Sequence, residues 1–187
     1  MVYTLKWLLD EYQKSNKIKY VFFWGHQPTK DGSVSESCFS QWWQSPFIVG
    51  EIEYKTAEHW MMAQKAWLFE DKHHLKLILD CSSPAEAKKI GRQVTNFDNI
   101  LWDLHKYAFV VEGNYHKFSQ HPGLQNFLLT TGDRVLVEAS PVDTIWGIGM
   151  AKNDENIYNP SKWKGENLLG FALMDVRDQL RVLKINT

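Results

Sequence analysis

Hydrophobic positions recur at helical spacing over most of the chain, with a few short runs that read as strands. Tyr3 to Lys14 carries an apolar face interrupted by Lys6 and Asp10, which predicts a short amphipathic helix. Lys19-Tyr-Val-Phe-Phe-Trp24 is aromatic and β-branched and predicts a strand. A polar, turn-rich stretch from Gly25 to Ser37 follows, and then the aromatic-rich Cys38-Phe-Ser-Gln-Trp-Trp43. Phe47 to Val49 and Glu51 to Tyr54, separated by Gly50, predict a β-ribbon that leads into a helix after Thr56.

Helical signals dominate the middle. Ser83-Pro84-Ala85-Glu86 sets a capping Ser, a first-turn Pro and a third-position Glu in the order of a capping box, with Gly91 as the stop. Asp98 is placed to cap a long helix from about Asn99 to Phe118, whose apolar stripe is read as Leu101, Leu104, Ala108, Val111 and Tyr115. His121-Pro-Gly ends it, Leu124 to Leu129 gives a short helix closed by Gly132, and Arg134-Val-Leu-Val-Glu138 reads as a strand. Between Pro141 and Glu166 the periodicity is lost, as in functional loops. Asn167 then caps a final helix to about Leu183. No repeat, low-complexity tract or linker composition occurs, so the expectation is one α+β, mainly α-helical domain over residues 1–187, with 1–18 as a helical extension.

Composition narrows the function classes. Acidic and basic residues are mixed and the net charge is −1, so no basic stripe exists for extended duplex binding. Cys38 and Cys81 are too few for a disulfide framework and lack zinc-site spacing, which fits a reducing compartment. No apolar run reaches membrane-spanning length and no cleavage site follows the first helix, so the protein is expected in the cytoplasm, with the nucleus as the alternative, and without a membrane partner. Nine Trp exceed what a core of this size needs, and some of the rings are candidates for stacking on a nucleobase or sugar.

Two constellations carry candidate chemistry. Glu58 and Lys65 are seven positions apart, close to two helical turns, so they share a face with Met61 and Met62 between them; Trp60, Gln64 and Trp67 point elsewhere. The heads are separated along the axis by roughly 10 Å, too far for a direct pair but suited to flanking a ligand. A first-turn acid is equally what the helix macrodipole favours, and a lysine is equally a solvated residue, so spacing alone defines a candidate and no more. The second constellation is Asp143-Thr-Ile-Trp146-Gly147-Ile-Gly149 with Gly165-Glu-Asn167-Leu-Leu-Gly170. There the glycines allow close backbone approach and the helix start offers an anion site, although Gly-X-Gly also serves ordinary turns. His73 and His74 read as surface residues, Ser40 lacks a nucleophile elbow, and neither a metal site nor a cofactor is expected.

Taken in order, Phe22-Phe23-Trp24, Phe39-Ser40-Gln41-Trp42, Tyr54-Lys-Thr-Ala-Glu58-His-Trp-Met-Met-Ala-Gln-Lys65, Ser83-Pro84 with Gly91-Arg92, Trp102, Asp143 to Gly149 and Asn167-Leu-Leu-Gly170 resemble the YbiA-like or NADAR domain family over residues 20–180. The resemblance implies a mainly helical fold and hydrolysis of the N-glycosidic bond between a ribose, as its phosphate or as ADP-ribose, and a base-like nitrogen. Early riboflavin-pathway ribosylamino-pyrimidines are the implied substrates. The alternatives are ADP-ribosylated guanine in nucleic acid or nucleotides, and an ADP-ribose-binding module without chemistry. Motif by motif, it places the essential acid on Glu58 and the sugar-engaging amine on Lys65. Ligand contact falls on Phe23, Trp24, Gly25, Ser40, Trp42, Arg92, Trp102, Asp143, Trp146, Gly147 and Asn167, with Arg92 meeting a phosphate. The chain departs from the bacterial YbiA pattern at Gln41-Trp42-Trp43 and in the long, charged stretch between Gly149 and Gly165, changes that bear on substrate choice more than on the reaction.

Overall fold

The computed structural model describes residues 2–15 and 17–185, so Met1 and Asn16 of the N-terminal extension lie outside the described residues. Its helices are α1 (Leu5–Lys14), α2 (Ala57–Leu68), α3 (Lys72–Asp80), α4 (Pro84–Gly91), α5 (Asn99–Gln120), α6 (Pro122–Thr130) and α7 (Leu168–Ile185). Its strands are β1 (Tyr20–Phe23), β2 (Phe47–Val49), β3 (Ile52–Tyr54) and β4 (Val135–Glu138), with single 3-10 turns at Glu36–Phe39 and Pro160–Lys162. The fold is α+β and mainly α-helical. The chain divides into two compact units, Met1–Ser40 with Pro122–Thr187, and Gln41–His121.

In the first unit β1 and β4 pair in parallel, with Tyr20 opposite Val135 and Phe23 opposite Glu138. Helix α7 lies on β4 and against α6. The approach is close enough that a Cβ on Gly170 would strike the Leu136 carbonyl and the Asn167 amide. Asn167 has a left-handed backbone, φ +57°, and is buried. Its carbonyl accepts from Phe171 N at 3.1 Å, as a cap carbonyl does. Its side chain, expected to cap α7, instead bonds the strand: Oδ1 accepts from Glu138 N at 3.0 Å and Nδ2 donates to Leu136 O at 2.9 Å. The side-chain amide lies between the first turn of α7 and β4, where it finds its backbone partners. Phe39 on the 3-10 turn packs edge-on to Phe23 and against Phe127, each at 5.5 Å between centroids.

The second unit is built around α2, which contacts β3, α3, α4 and α5 and is buried from Ala57 to Ala63. Trp60, expected to point away from the face shared by Glu58 and Lys65, is buried and donates from Nε1 to Phe109 O at 2.8 Å. Two glycines set how near the neighbours come: a Cβ on Gly91 of α4 would overlap Met62, and one on Gly113 of α5 would overlap Trp60. Gly91 is thus a contact point; its φ is not left-handed. The caps read from sequence are present, with Thr56 accepting from His59 N, Ser83 from Glu86 N and Asp98 from Leu101 N. The ribbon β2–β3 turns at Gly50, φ +62°.

A further expectation fails on α5. The buried stripe of α5 is Val110, Gly113, Asn114, Lys117 and Phe118, whereas Leu101, Leu104 and Ala108 of the expected stripe are exposed, Leu104 at 73%. A Gly, an Asn and a Lys occupy the inward face, so hydrophobicity alone marks the wrong side.

Two stability predictions follow from this packing. Gly170→Ala should lower the free energy of unfolding by about 1–3 kcal/mol through overpacking against β4; a urea midpoint equal to wild type would contradict that contact. His59 is buried, and its imidazole is held below its usual range first by desolvation and then by Lys55, against the raising effect of the Cys81 carbonyl. The unfolded chain therefore binds the proton more readily, and stability present above about pH 6.5 is lost as pH falls toward the depressed folded value. His59→Gln should flatten the pH dependence of the urea midpoint between pH 7 and 5, and an unchanged slope would exclude this source.

Candidate active site

Helix α2 begins at Thr56 because its hydroxyl accepts from the His59 amide, which frees the following residues to enter the first turn. Glu58 therefore sits where the positive end of the helix favours a carboxylate. It is 2% exposed, and its backbone N donates to Gln41 O at 3.0 Å. Gln41 is itself buried, with Nε2 at 4.0 Å from Met61 Sδ and Oε1 accepting from Asn114 Nδ2 at 2.7 Å. Asn114 also donates to Val110 O at 2.8 Å. One turn further along α5, Lys117 is fully buried, its Nζ 5.1 Å from the Phe118 centroid. Gln41, Asn114 and Lys117 form a buried polar set that sequence reasoning missed. The available signal was the run of polar or side-chain-free residues at helical spacing on α5, which reads as a solvent face until α2 is packed on it.

Lys65 is neither fully buried nor solvated. Its Nζ lies 4.0 Å from the Phe97 centroid and 5.7 Å from the Trp102 ring. Desolvation first, and then the nearby positive charge of Arg92, hold the amine below the usual lysine range. Lys65, Arg92 and Trp102 are thus brought together, with Phe97 as a wall the sequence reading had not assigned. Trp42 lies under Lys88, whose Nζ is 5.9 Å from the ring.

The remaining sequence-assigned residues belong to the other unit and gather at the carboxyl ends of β1 and β4, the edge at which parallel sheets bind ligands. Trp24 and Gly25 follow β1, with Trp24 60% exposed and Gly25 at φ +81°. Phe23 is buried against Phe39, a packing position. Ser40 closes the 3-10 turn, donating its amide to Ser37 O. Asp143 is a turn-former: Oδ1 accepts from Ile145 N at 2.9 Å and Trp146 N at 2.8 Å, and its carbonyl accepts from Gly149 N at 3.0 Å. The Gly149 amide is therefore committed to the turn. Gly147 and Gly165 are there for space, since a Cβ on either would meet backbone oxygens of the same loop. Asn167 stitches this loop to β4, its amide accepted by Gly147 O at 3.2 Å. Among the described residues no group of His, Cys, Asp and Glu is arranged to hold a metal, and no helix is long and apolar enough to cross a membrane.

The sequence matches the NADAR domain family over residues 22–181. An N-glycosidase of Acanthamoeba polyphaga mimivirus is 46% identical over 166 residues, 86% of this chain and 96% of that protein. An N-glycosidase of Nostoc punctiforme is 35% identical over 146 residues, 78% and 86% of the two chains. The N-glycosidase YbiA of Escherichia coli is 32% identical over 156 residues, 83% and 87%. The NMR structure of E. coli YbiA superposes with a TM-score of 0.69 at 28% identity, covering 92% of this chain and 94% of that one. The chain belongs to the NADAR domain family. Its enzymatic class is that of these relatives, a hydrolase acting on N-glycosyl compounds.

The electrostatics around Lys65 are testable directly. Arg92→Ala should raise the pH midpoint for labelling of Lys65 by an amine-selective reagent, read by peptide mass spectrometry, while Arg92→Lys should leave it near wild type. A midpoint that stays or falls in Arg92→Ala would remove Arg92 as a cause.

Proposed function

We propose that the bond cleaved joins C1 of a ribose, carried as a phosphate or as ADP-ribose, to a base-like nitrogen, with early riboflavin-pathway ribosylamino-pyrimidines as the substrate class. The observation that carries this reading is the placing of one buried carboxylate and one desolvated amine on α2, the amine walled by the aromatic faces of Phe97 and Trp102.

As the C1–N bond lengthens, positive charge grows at C1. Glu58 stabilises that charge or takes a proton from the attacking water, since a buried carboxylate acts strongly on charge developing beside it. The water oxygen bonds to C1, and the proton balance ends on the departing nitrogen. Lys65 engages the sugar. A lysine acts as a nucleophile or proton acceptor only as the free amine, and the lowered proton affinity of Lys65 favours that form. In the same reading Trp42 and Trp102 present rings to the base or sugar, and Arg92 meets a phosphate. In the other unit, taken by itself, Trp24, Gly25, Ser40 and the Asp143–Trp146 turn are at least partly accessible, while Phe23, Gly147 and Asn167 are packing positions.

Glu58→Gln should bind substrate within a few-fold of wild type and lose about 100-fold or more in turnover. The assay is mass spectrometry of the released base, run in parallel on a ribosylamino-pyrimidine phosphate and on ADP-ribosylated guanosine. Turnover of the first supports the proposed substrate class, and turnover of the second alone replaces it with ADP-ribosyl-guanine. Undiminished release by Glu58→Gln on either substrate would sink the role given to Glu58.

A further inference from the structure

At the opposite edge of the parallel sheet, where β1 and β4 begin, lies a cavity of about 700 Å³ that includes Trp7, Glu11, Lys17, Lys19, Asp133 and Arg134 in its wall. None of the residues assigned to the active site lines it. It does not depend on the catalytic reading.

Most charges in its wall are committed to the fold. Glu11 pairs with Lys14 at 2.7 Å and Asp133 with Arg181 at 3.0 Å. Arg134 donates from Nε to Thr131 O and from Nη2 to Thr130 O, and Arg181 donates to Gly132 O, so the carbonyls ending α6 are satisfied without the lysines. Lys17 and Lys19 are exposed and make no ion pair among the described residues. Both line the cavity from the segment that leads into β1. Trp7 contributes a large ring steadied edge-on by Tyr3 at 4.8 Å between centroids. Two uncommitted cations and an indole in a space of this volume suit a planar aromatic group that carries an anion, and the volume exceeds what a small oxyanion fills.

We infer that this cavity is a second ligand site that takes a mononucleotide, with its base on the Trp7 ring and its phosphate on Lys17 and Lys19.

The test uses the full chain with ¹⁵N-labelled tryptophan, the Trp7 indole signal being assigned by its loss in Trp7→Leu. Titration with AMP should move that signal. Adenosine and inorganic phosphate should each bind at least tenfold more weakly, because each lacks half of the recognition. The double variant Lys17→Glu with Lys19→Glu should weaken AMP about tenfold or more at unchanged melting temperature, since both side chains are exposed. The same shift in Arg92→Ala, which removes the phosphate contact proposed at the catalytic site, would show that the event is separate from that site. A Trp7 signal that ignores AMP, one that responds equally to inorganic phosphate, or AMP binding that survives the double charge reversal would each overturn the assignment.

Discussion

A helix buried along most of its length leaves its ionisable residues little solvent to face, and α2 carries Glu58 and Lys65 under that constraint. Each is accommodated by a different device. Glu58 lies in the first turn, where the helix dipole favours a carboxylate and Thr56 completes the cap. Lys65, toward the other end, lies by the Phe97 and Trp102 rings, and its burial together with the charge of Arg92 holds its amine below the usual lysine range. The depth of burial is itself set by small residues on the neighbours. Gly91 and Gly113 let α4 and α5 come close enough to seal Met62 and Trp60, and any side chain at either would push the helices off α2. The chemistry proposed for this helix follows from its packing.

The other unit solves a different problem, that of making a two-stranded parallel sheet rigid. Such a pair has few ladder bonds and gains from outside support. Asn167 supplies it by accepting a strained left-handed backbone and committing its amide to Leu136 and Glu138. Gly170 brings α7 down onto the same strand, and Gly147 and Gly165 fold the following loop against it. Residues that look like a phosphate-binding glycine pattern in the sequence are here the points where backbone passes backbone. At this edge Trp24 is 60% exposed, while Asp143 is committed to its own turn.

Local interactions were the legible part of the sequence. The caps at Thr56, Ser83 and Asp98, the turn at Gly50, the break at His121-Pro122 and the β1 and β4 segments depend on residues within a few positions of one another, and each is found where the pattern placed it. Helix α3 was less visible, because its start rests on Asp71, whose carboxylate accepts from the nearby His74 and from the distant Thr95. The ordered motif blocks were legible too, and they placed the chain in its family and marked Glu58 and Lys65.

Tertiary structure decided what depends on distant partners. The inward side of α5 carries Gly113 and Asn114 because Trp60 of α2 demands space and Gln41 a hydrogen bond there, and a hydrophobic count on α5 alone points to the exposed Leu101 and Leu104 instead. The low proton affinity of Lys65 comes from burial and from Arg92, groups that share no helix with it. Sequence by itself determined where most helices start and stop and which family the chain belongs to, since capping and covalent order are local. Only the tertiary structure decided which faces are buried and how the charged groups are tuned, because desolvation and electrostatic influence depend on distance in space.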